Sequence, residues 1–365
     1  MAVLKIMARL SFLASALLLV ACDNSAQSDT QPSANAAFEV ETYSLGVITD
    51  LVNLPWIAAN RQGLFDSITR REGIRLEILE FSEEADALEA YEAGQVDAVT
   101  ANLNALLSNA AVVKTNTTIP LIFGFSRGDY GIFSRRARNI NELAGERVNL
   151  RFGSSAHYLL FRILELNQQS TSSLELIDSS QEELVEGFLE GTIDSLAASG
   201  SSYAQISQLS DANLIADSRS LYGEMMAALL IRAEEIADNP ALATALVEGW
   251  FLAMETYYPV DGPLSETTVR EFSQLTSHSR DRLEVYLAAH NFLRSPEHAL
   301  QYIEGQNLSA AIEGSRRFIA DNNANSCGPA GVSGCSIEFD GKTIITGNAT
   351  RFTFDTETLH GLAGD

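Results

Sequence analysis

Hydrophobic and polar positions along this chain form short apolar runs, each followed by a polar turn and an amphipathic stretch. The segment YSLGVITDLVNLPWIAANRQGLF, from position 43, predicts a strand, a loop and a helix, and IRLEILEF then predicts another strand. RVNLRFGSSAHYLLFRILELN, from position 147, predicts the same order and is followed by the extended LELID. Strands that alternate with helices predict parallel α/β sheets. Because the alternation occurs twice, we expect two α/β lobes.

Two segments within this order repeat each other. ADALEAYEAGQVDAVTANLNALLSNA begins at position 85, and QEELVEGFLEGTIDSLAASGSSYAQI begins at position 181. Each predicts a helix that ends at a glycine, Gly94 or Gly191, and these glycines lie 97 residues apart. A short strand with Asp97 or Asp194 follows, and we interpret both aspartates as structural turn residues.

The chain after position 222 has a different pattern. MMAALLIR predicts a strand, and ALATALVEGWFLAMETYY, DRLEVYLAAHNFL and LSAAIEGSRRFIADN predict helices. We expect these elements to return to the first lobe, so that the chain crosses between lobes near Gly124 and near Tyr222 and forms a hinge. The predicted organisation is a signal peptide (1–21), a tether (22–37), the first part of lobe 1 (38–125), lobe 2 (126–222), and a return to lobe 1 with a C-terminal helical extension (223–365).

Four polar turns follow predicted strands, at residues 49–56, 100–104, 153–157 and 198–203. In parallel sheets ligands bind beyond the carboxyl ends of strands, where helix N-termini present backbone N–H groups. If the lobes face each other, the turns line one cleft. The predicted ligand-binding residues are Asn53, Trp56, Thr100, Asn102, Asn104, Ser154, Ser155, His157, Ser199, Tyr203, Tyr222 and Glu224.

Each of these residues also has a structural interpretation. Trp56 suits core packing, the serines and asparagines suit helix caps, and Glu224 suits a solvated or paired carboxylate. A serine nucleophile in GSSAH is not favoured, because G-x-S-x-G is missing from the sequence and nothing orients His157 as a base. The five histidines form neither HxxxH nor HExxH, so neither a metal site nor a cofactor is predicted.

Composition excludes one class of partner. The formal net charge is −24 and the sequence holds three lysines, so it has no basic footprint for nucleic acid. An acidic surface indicates solubility and does not define the ligand.

The first 22 residues, MAVLKIMARLSFLASALLLVAC, have the layout of a secretory signal. LVAC resembles the bacterial lipobox, in which the cysteine, here Cys22, is acylated; the alternative is an ordinary signal with an incidental cysteine. Asp23 resembles the signal that retains some lipoproteins at the inner membrane. In an oxidising compartment, Cys327 and Cys335 are expected to form a disulfide.

These motifs together resemble the periplasmic substrate-binding proteins of the nitrate/sulfonate/taurine class of ABC importers. PWIAANRQGLF, GIRLEILEF, EAGQVDAVT, INELAGERV, GSSAHYLLFRILELN and LEGTIDSLAAS carry the resemblance across more than half of the chain. Asn53-Leu54-Pro55-Trp56 and VTANLNALLSNA resemble most the branch associated with urea and short-chain amides. One departure is SGSS at 199–202, where many relatives have an aromatic residue.

The resemblance implies a type II periplasmic binding protein fold and a non-catalytic, monomeric receptor. Such a receptor delivers a small polar solute to an inner-membrane permease driven by a separate ATPase. Two alternatives remain: a sensory or scaffold lipoprotein, and an enzyme related to thiamine-pyrimidine synthesis. The family's cysteine-rich motif and cofactor lysine, expected for the second, are not recognisable in this sequence.

Overall fold

Two β-sheets organise the described part of the chain. The computed structural model describes residues 40–108, 113–258, 264–276, 280–289, 291–322, 337–347 and 349–364. Its strands are β1 (Glu41–Ile48), β2 (Ile74–Phe81), β3 (Ala98–Asn102), β4 (Thr117–Phe125), β5 (Tyr130–Ser134), β6 (Arg147–Leu150), β7 (Glu175–Asp178), β8 (Ser195–Ser199), β9 (Asn213–Asp217), β10 (Met226–Arg232), β11 (Asn291–Phe292), β12 (Ile337–Phe339), β13 (Thr343–Thr346) and β14 (Ala349–Phe354).

Helices connect most of these strands. They are α1 (Leu54–Arg61), α2 (Asp66–Glu72), α3 (Glu84–Glu92), α4 (Leu103–Ser108), α5 (Ser155–Leu166), α6 (Gln181–Glu190), α7 (Gly200–Ile206), α8 (Ala233–Asp238), α9 (Ala241–Tyr257), α10 (Glu266–Thr276), α11 (Arg280–Ala289), α12 (Pro296–Ile303), α13 (Gln306–Asn322) and α14 (Glu357–Ala363). The repeated glycines act as expected. Gly191 caps α6 and Gly94 follows α3, both with the positive φ that glycine adopts most readily.

The first sheet has the strand order β12-β13-β14-β4-β10-β3-β1-β2, and β11 pairs with β4. β1 runs parallel to β2 along its whole length and parallel to β3. The second sheet has the order β7-β6-β8-β5-β9, with β6 parallel to both β7 and β8. The carboxyl ends of β1, β2 and β3 therefore share one edge, and those of β6, β7 and β8 share another.

The sheets are mixed, which differs from the expectation of parallel sheets. β10 is antiparallel to β3 and β4, and β5 is antiparallel to β8 and β9. The chain path explains this direction. β5 begins where β8 ends, with Tyr130 opposite Ser199, and β10 begins where β4 ends, with Met226 opposite Phe125. A strand that starts at the edge where its neighbours finish must run against them.

The chain crosses between the sheets twice, at residues 126–129 and 218–225, and the crossings bond to each other. The Ser126 hydroxyl lies 2.9 Å from the Ser218 hydroxyl, which also accepts from Gly128 N at 2.6 Å. Ser126 N donates to Met225 O at 2.8 Å. Such a paired connection allows two lobes to rotate while their relative register is kept.

An aromatic cluster forms the centre of the core behind the first sheet. Trp56 on α1 is fully buried, with ring centroids 6.0 Å from Phe65, 5.8 Å from Phe123 and 5.3 Å from Trp250. Aromatic side chains bury large areas, so this cluster fixes α1 and α9 against β4.

Helix α13 contacts elements that belong to both sheets. Phe318 is fully buried, and its ring centroid lies 4.9 Å from His157, 5.6 Å from Tyr158 and 5.3 Å from Phe161, all on α5. On its other side, Ser315 accepts from Asn104 of α4 at 3.0 Å. The strands β10–β14 belong to the first sheet, whereas α13 also contacts α5, which follows β6 of the second sheet.

Some sequence predictions lie outside the described residues: the signal peptide and tether, the lipidation of Cys22, and the disulfide between Cys327 and Cys335. Within the part of the chain that the structure describes, no helix combines the length and apolar character needed to cross a membrane.

Replacing Phe318 with alanine should lower the free energy of unfolding by about 3 to 5 kcal/mol, because truncating a buried phenylalanine removes apolar burial and leaves a cavity. Urea denaturation followed by circular dichroism measures this loss. The control is Phe152→Ala, at a ring that is 48% exposed, which should cost under about 1 kcal/mol. Equal losses for the two variants would contradict the packing of α13 on α5.

Candidate functional site

A hydrogen bond joins the two sheets at their facing edges. Nδ2 of Asn102, the last residue of β3, donates to the hydroxyl of Tyr130, the first residue of β5, at 2.6 Å. Both side chains are buried, and the Ser155 hydroxyl at the start of α5 lies near the same tyrosine oxygen without a hydrogen bond of normal geometry. This contact defines the candidate site.

The wall of the site on the first sheet is rich in carboxylates and amides. Asp50 Oδ1 accepts from N and Nδ2 of Asn53, at 3.0 and 2.7 Å. Glu84 Oε1, at the start of α3, accepts from Asn102 N at 2.7 Å. Thr100 lies two residues before Asn102 in β3, and the alternation of strand side chains places both on one face.

The opposite wall consists of the same kind of turns in the second sheet. Ser199 ends β8 directly opposite Tyr130. Its hydroxyl accepts from Nε2 of Gln181, the first residue of α6, at 3.0 Å. The contact between Gln181 and Ser199 therefore corresponds to the one between Glu84 and Asn102.

Buried polar atoms concentrate at these walls. We call a buried side-chain atom an orphan atom when it has no hydrogen-bond partner within the described ranges. The orphan atoms at the site are Asn53 Oδ1, Thr100 Oγ1, Asn102 Oδ1, Ser155 Oγ, His157 Nε2 and Gln181 Oε1. A buried polar group without a partner costs about 1 to 3 kcal/mol, so such a concentration is expected where a ligand supplies the partners.

Burial perturbs two ionisable groups at the site. Burial, with a smaller contribution from Asp50, raises the pKa of Glu84 to about 7, although the hydrogen bond from Asn102 N acts in the opposite direction. Burial also raises the pKa of Tyr130 well above its usual value, with contributions from Asp129, Glu84 and Asp50, so this phenol stays neutral. The carboxyl groups of Asp50 and Glu84 therefore act on the neutral Tyr130 hydroxyl, and Asp50 also acts on Glu84.

Three arginines of the second sheet and its flanking segments are paired with carboxylates. Arg151 lies 3.3 Å from Asp178, and Nε of Arg219 donates to Asp217 at 2.8 Å. The buried Arg162 binds Glu224 through two hydrogen bonds, at 2.7 and 2.9 Å. These pairs reduce the positive charge that the arginines present.

His157 lies at the N-terminus of α5 as a neutral side chain. Its Nδ1 accepts from Gly153 N at 3.2 Å, so the proton of the neutral ring resides on the orphan atom Nε2. Burial lowers its pKa to about 4, although Asp178 acts in the opposite direction. The ring packs between Phe152 and Phe318.

Several predicted residues lie in structural contacts away from the orphan atoms. Asn104 Nδ2 donates to the Ser315 hydroxyl, and Asn104 Oδ1 accepts from Met226 N. Because both polar atoms of this side chain have partners, the proposed binding set does not include Asn104. Ser154 caps α5 by accepting from His157 N at 3.3 Å. The Trp56 ring belongs to the aromatic cluster, although its Nε1 is another orphan atom.

The three predicted hinge and lid residues differ in environment. Tyr203 packs on Phe133, with ring centroids 5.3 Å apart. Tyr222 is 72% exposed. Glu224 accepts from the Tyr158 hydroxyl at 3.0 Å and pairs with Arg162, so it is the paired carboxylate of the structural interpretation.

Sequence reasoning missed four residues of this site: Asp50, Glu84, Tyr130 and Gln181. The internal repeat held a signal for two of them, because Glu84 and Gln181 are 97 residues apart, like Gly94 and Gly191, and each begins a helix. Among the described residues, no group of three or more His, Cys, Asp or Glu side chains is arranged to hold a metal ion.

Comparison with known proteins identifies the family. The family model described as NMT1/THI5 like matches residues 52–255, more than half of the chain, and the chain therefore belongs to that family. No curated protein matches the sequence significantly.

Solved structures with low sequence identity share the fold. The alkanesulfonate-binding protein SsuA from Xanthomonas axonopodis pv. citri, bound to MOPS, is 18% identical with a TM-score of 0.61, over 78% of this chain and 96% of that chain. The aliphatic sulphonate binding protein SsuA from Escherichia coli is 15% identical with a TM-score of 0.60, over 77% and 94%. The nitrate-binding protein NrtA from Synechocystis PCC 6803 is 12% identical with a TM-score of 0.54, over 90% and 98%. The predicted periplasmic binding protein fold is confirmed.

Replacing His157 with phenylalanine should make the protein less sensitive to acid. The unfolded chain takes up a proton at this histidine near pH 6.5, whereas the folded protein does so only near pH 4. The wild type therefore loses stability as the pH falls through this window, by about 2 to 3 kcal/mol. Denaturation at several pH values measures the difference between variant and wild type, which should favour the variant increasingly towards pH 4. The exposed His298, changed to phenylalanine, is the control, and an equal gain there would contradict the assignment.

Replacing Glu84 with glutamine should have the opposite pH dependence. The folded protein holds this carboxyl proton up to about pH 7, whereas the unfolded chain releases it near pH 4.5. The wild type therefore loses stability as the pH rises from 4.5 to 7, and the variant, which cannot ionise, should gain about 1 to 3 kcal/mol relative to it.

Asp50, on the loop after β1, is the charged group that acts on Glu84. Glu84 in turn acts on Tyr130, the first residue of β5, together with Asp50 and with Asp129 on the first crossing. Thermal unfolding at pH 5 and pH 8 measures the effect of Glu84→Gln. Glu89→Gln, on the exposed face of the same helix, is the matched control and should give a constant difference. A constant difference for Glu84→Gln as well would show that this carboxyl is not perturbed.

Proposed function

We propose that this member of the NMT1/THI5-like family is the substrate-binding protein of an ABC importer. It captures a small polar solute between the facing edges of its two sheets and delivers it to a permease. The observation that carries this proposal is the set of orphan atoms on both walls of the site. A solute that bridges the walls supplies their partners and holds the lobes together.

The fold and its relatives support transport. The matched structures named above are described as binding proteins for alkanesulfonates, aliphatic sulphonates and nitrate. This is in keeping with the nitrate/sulfonate/taurine class that the sequence resembles. Urea or a short amide, the narrower prediction, is named in none of those three descriptions, and it rests on the sequence resemblance and on the neutral amides of Asn53 and Asn102.

An enzyme on the same fold has less support. His157 is neutral, and its Nδ1 is occupied by Gly153 N, so the ring is not placed to take a proton from the Ser154 or Ser155 hydroxyl. Neither serine therefore resembles an activated nucleophile. A sensory lipoprotein would use the same solute site without a permease, whereas a scaffold lipoprotein would need no solute.

The cellular location that we propose rests on the N-terminal sequence. A lipid on Cys22 would tether the protein to the inner membrane, which also holds the permease. The folded receptor would then lie in the periplasm. There the receptor would act as a monomer, with a disulfide between Cys327 and Cys335.

A screen by thermal shift tests the proposal. The purified protein is heated with urea, short amides, nitrate, taurine, alkanesulfonates or pyrimidines, and a solute that binds the folded state raises the melting temperature by mass action. A selective shift that is lost in Asn102→Ala supports a receptor. Shifts with none of these solutes would count against a receptor for these classes of solute and favour the scaffold alternative.

Replacing Thr100 with valine should separate ligand binding from stability. Valine has nearly the shape of threonine and removes a buried hydroxyl whose oxygen is an orphan atom, so the free protein should be equally or more stable. Solute affinity should fall by about tenfold, because the ligand loses a hydrogen bond in a buried site. Calorimetric titration and thermal unfolding measure the two quantities.

Thr117→Val is the matched control, because the Thr117 hydroxyl is buried but lies 3.0 Å from the Tyr91 hydroxyl. This variant should lose about 1 kcal/mol of stability and keep its affinity. A stability loss in Thr100→Val with unchanged affinity would remove Thr100 from the site.

A further inference from the structure

We propose that helix α13 acts as a brace, which holds the two sheets at a nearly fixed angle before any solute binds. The brace consists of Gly314, Ser315 and Phe318 and the residues that they contact. In binding proteins of this kind the chain crossings form the hinge about which the lobes rotate. The brace is a further connection between the sheets, and it restricts that rotation. A solute in the site then adds to a connection that already exists.

The first part of the brace joins α13 to the first sheet. Nδ2 of Asn104, on α4, donates to the Ser315 hydroxyl at 3.0 Å, and both side chains are fully buried. Oδ1 of the same amide accepts from N of Met226, the first residue of β10, at 3.4 Å. Separating these groups would leave buried polar atoms without partners, which costs more than the bonds themselves contribute. The Asn104 side chain therefore keeps α13 in place against α4 and β10.

The second part of the brace is a close approach of α13 to α5. A Cβ atom at Gly314 would lie 2.6 Å from the Tyr158 hydroxyl and 3.3 Å from Nε of Arg162. Glycine is less favourable than alanine in the interior of a helix, and this lack of space explains why α13 contains one there. One turn later, the buried ring of Phe318 packs on three aromatic rings of α5. Both contacts would be lost if α5 rotated away from α13.

The second crossing is bonded to α5 and to α12, two neighbours of α13. Glu224 accepts from the Tyr158 hydroxyl at 3.0 Å and pairs with Arg162 of α5. The carbonyl oxygen of Gly223 accepts from the hydroxyl of Tyr302, on α12, at 2.6 Å. Gly223 has a φ of 74°, a conformation that favours glycine, and so it is a natural point of rotation in the crossing. Because this carbonyl and the neighbouring Glu224 are both bonded, rotation there has to break contacts with α5 and α12.

The brace depends on packing and not on charge. Arg317 of α13 pairs with Glu165 of α5 at 2.7 Å, but both side chains are partly exposed, and such pairs contribute little to stability. The contacts of Asn104, Gly314 and Phe318 are buried instead. We therefore expect the angle between the sheets to be unchanged by high salt, which screens exposed ion pairs.

Spin-label distances measured by pulsed electron paramagnetic resonance test the brace in the purified full-length protein without added solute. The labels are attached at Glu89→Cys on α3 and Glu186→Cys on α6, which are exposed and 97 residues apart, at equivalent positions of the repeat. Cys22, Cys327 and Cys335 are changed to serine in every variant. Mass spectrometry of the denatured sample confirms that no solute is bound. We expect one narrow distance distribution, which stays narrow when the salt concentration is raised.

Gly314→Ala is the variant that disrupts the brace. The Tyr158 ring is fully buried, so the added methyl group should displace α13 and not the tyrosine. We expect the distribution to broaden and its mean to change by more than about 2 Å, the scale of a domain rearrangement. Gly361→Ala, in α14, is the matched control, because a Cβ at Gly361 would have no described neighbour within 4 Å. This variant should leave the distribution unchanged.

The outcomes decide between a braced and a free hinge. A broad distribution in the wild type, or an unchanged distribution in Gly314→Ala, would overturn the inference. A distribution that broadens with salt alone would also do so, since it would assign the angle to exposed ion pairs. Ser315→Ala, which removes the acceptor of Asn104 and adds no bulk, repeats the test should Gly314→Ala fail to fold. These results do not depend on which solute binds, so the receptor proposal can fail while the brace stands.

Discussion

The hydrogen bond between Asn102 and Tyr130 is the contact on which the candidate site depends. It ties the carboxyl end of β3 in the first sheet to the amino end of β5 in the second, at 2.6 Å. Because Tyr130 lies opposite Ser199 and Asn102 bonds to Glu84, this one contact aligns the carboxylate wall with the opposite wall. The two crossings also bond to each other, through the Ser126 and Ser218 hydroxyls.

Two buried ionisable groups at this site perturb stability in opposite directions. Acid stabilises the fold through Glu84, which is harder to ionise when buried, and destabilises it through His157, which is harder to protonate. The pH ranges over which the two groups change the stability overlap between about pH 4.5 and 6.5. In that range the net stability of the wild type therefore changes less with pH than it would with either group alone. A flat profile for the intact protein therefore conceals two large contributions, and only single variants reveal them.

Local sequence patterns predicted the alternation of strands and helices, the repeat, and the turns that supply Asn53, Thr100, Asn102 and Ser155. They did not predict Tyr130, because its role arises from β5 starting where β8 ends, which is a property of the chain path and not of its neighbours in sequence. The antiparallel direction of β10 and the contact of Phe318 with α5 have the same origin. Pairings between residues far apart in the chain leave no periodic signal in the sequence.

The internal repeat also explains why the site is asymmetric. Each repeat places the first residue of a helix against the last residue of a strand: Glu84 against Asn102, and Gln181 against Ser199. The backbone arrangement is shared, but one repeat contributes a carboxylate and the other a neutral amide. Two acidic walls would repel each other as the lobes approach, whereas one charged wall and one neutral wall can close without that repulsion. The two repeats thus give both walls the same backbone arrangement and different side-chain chemistry.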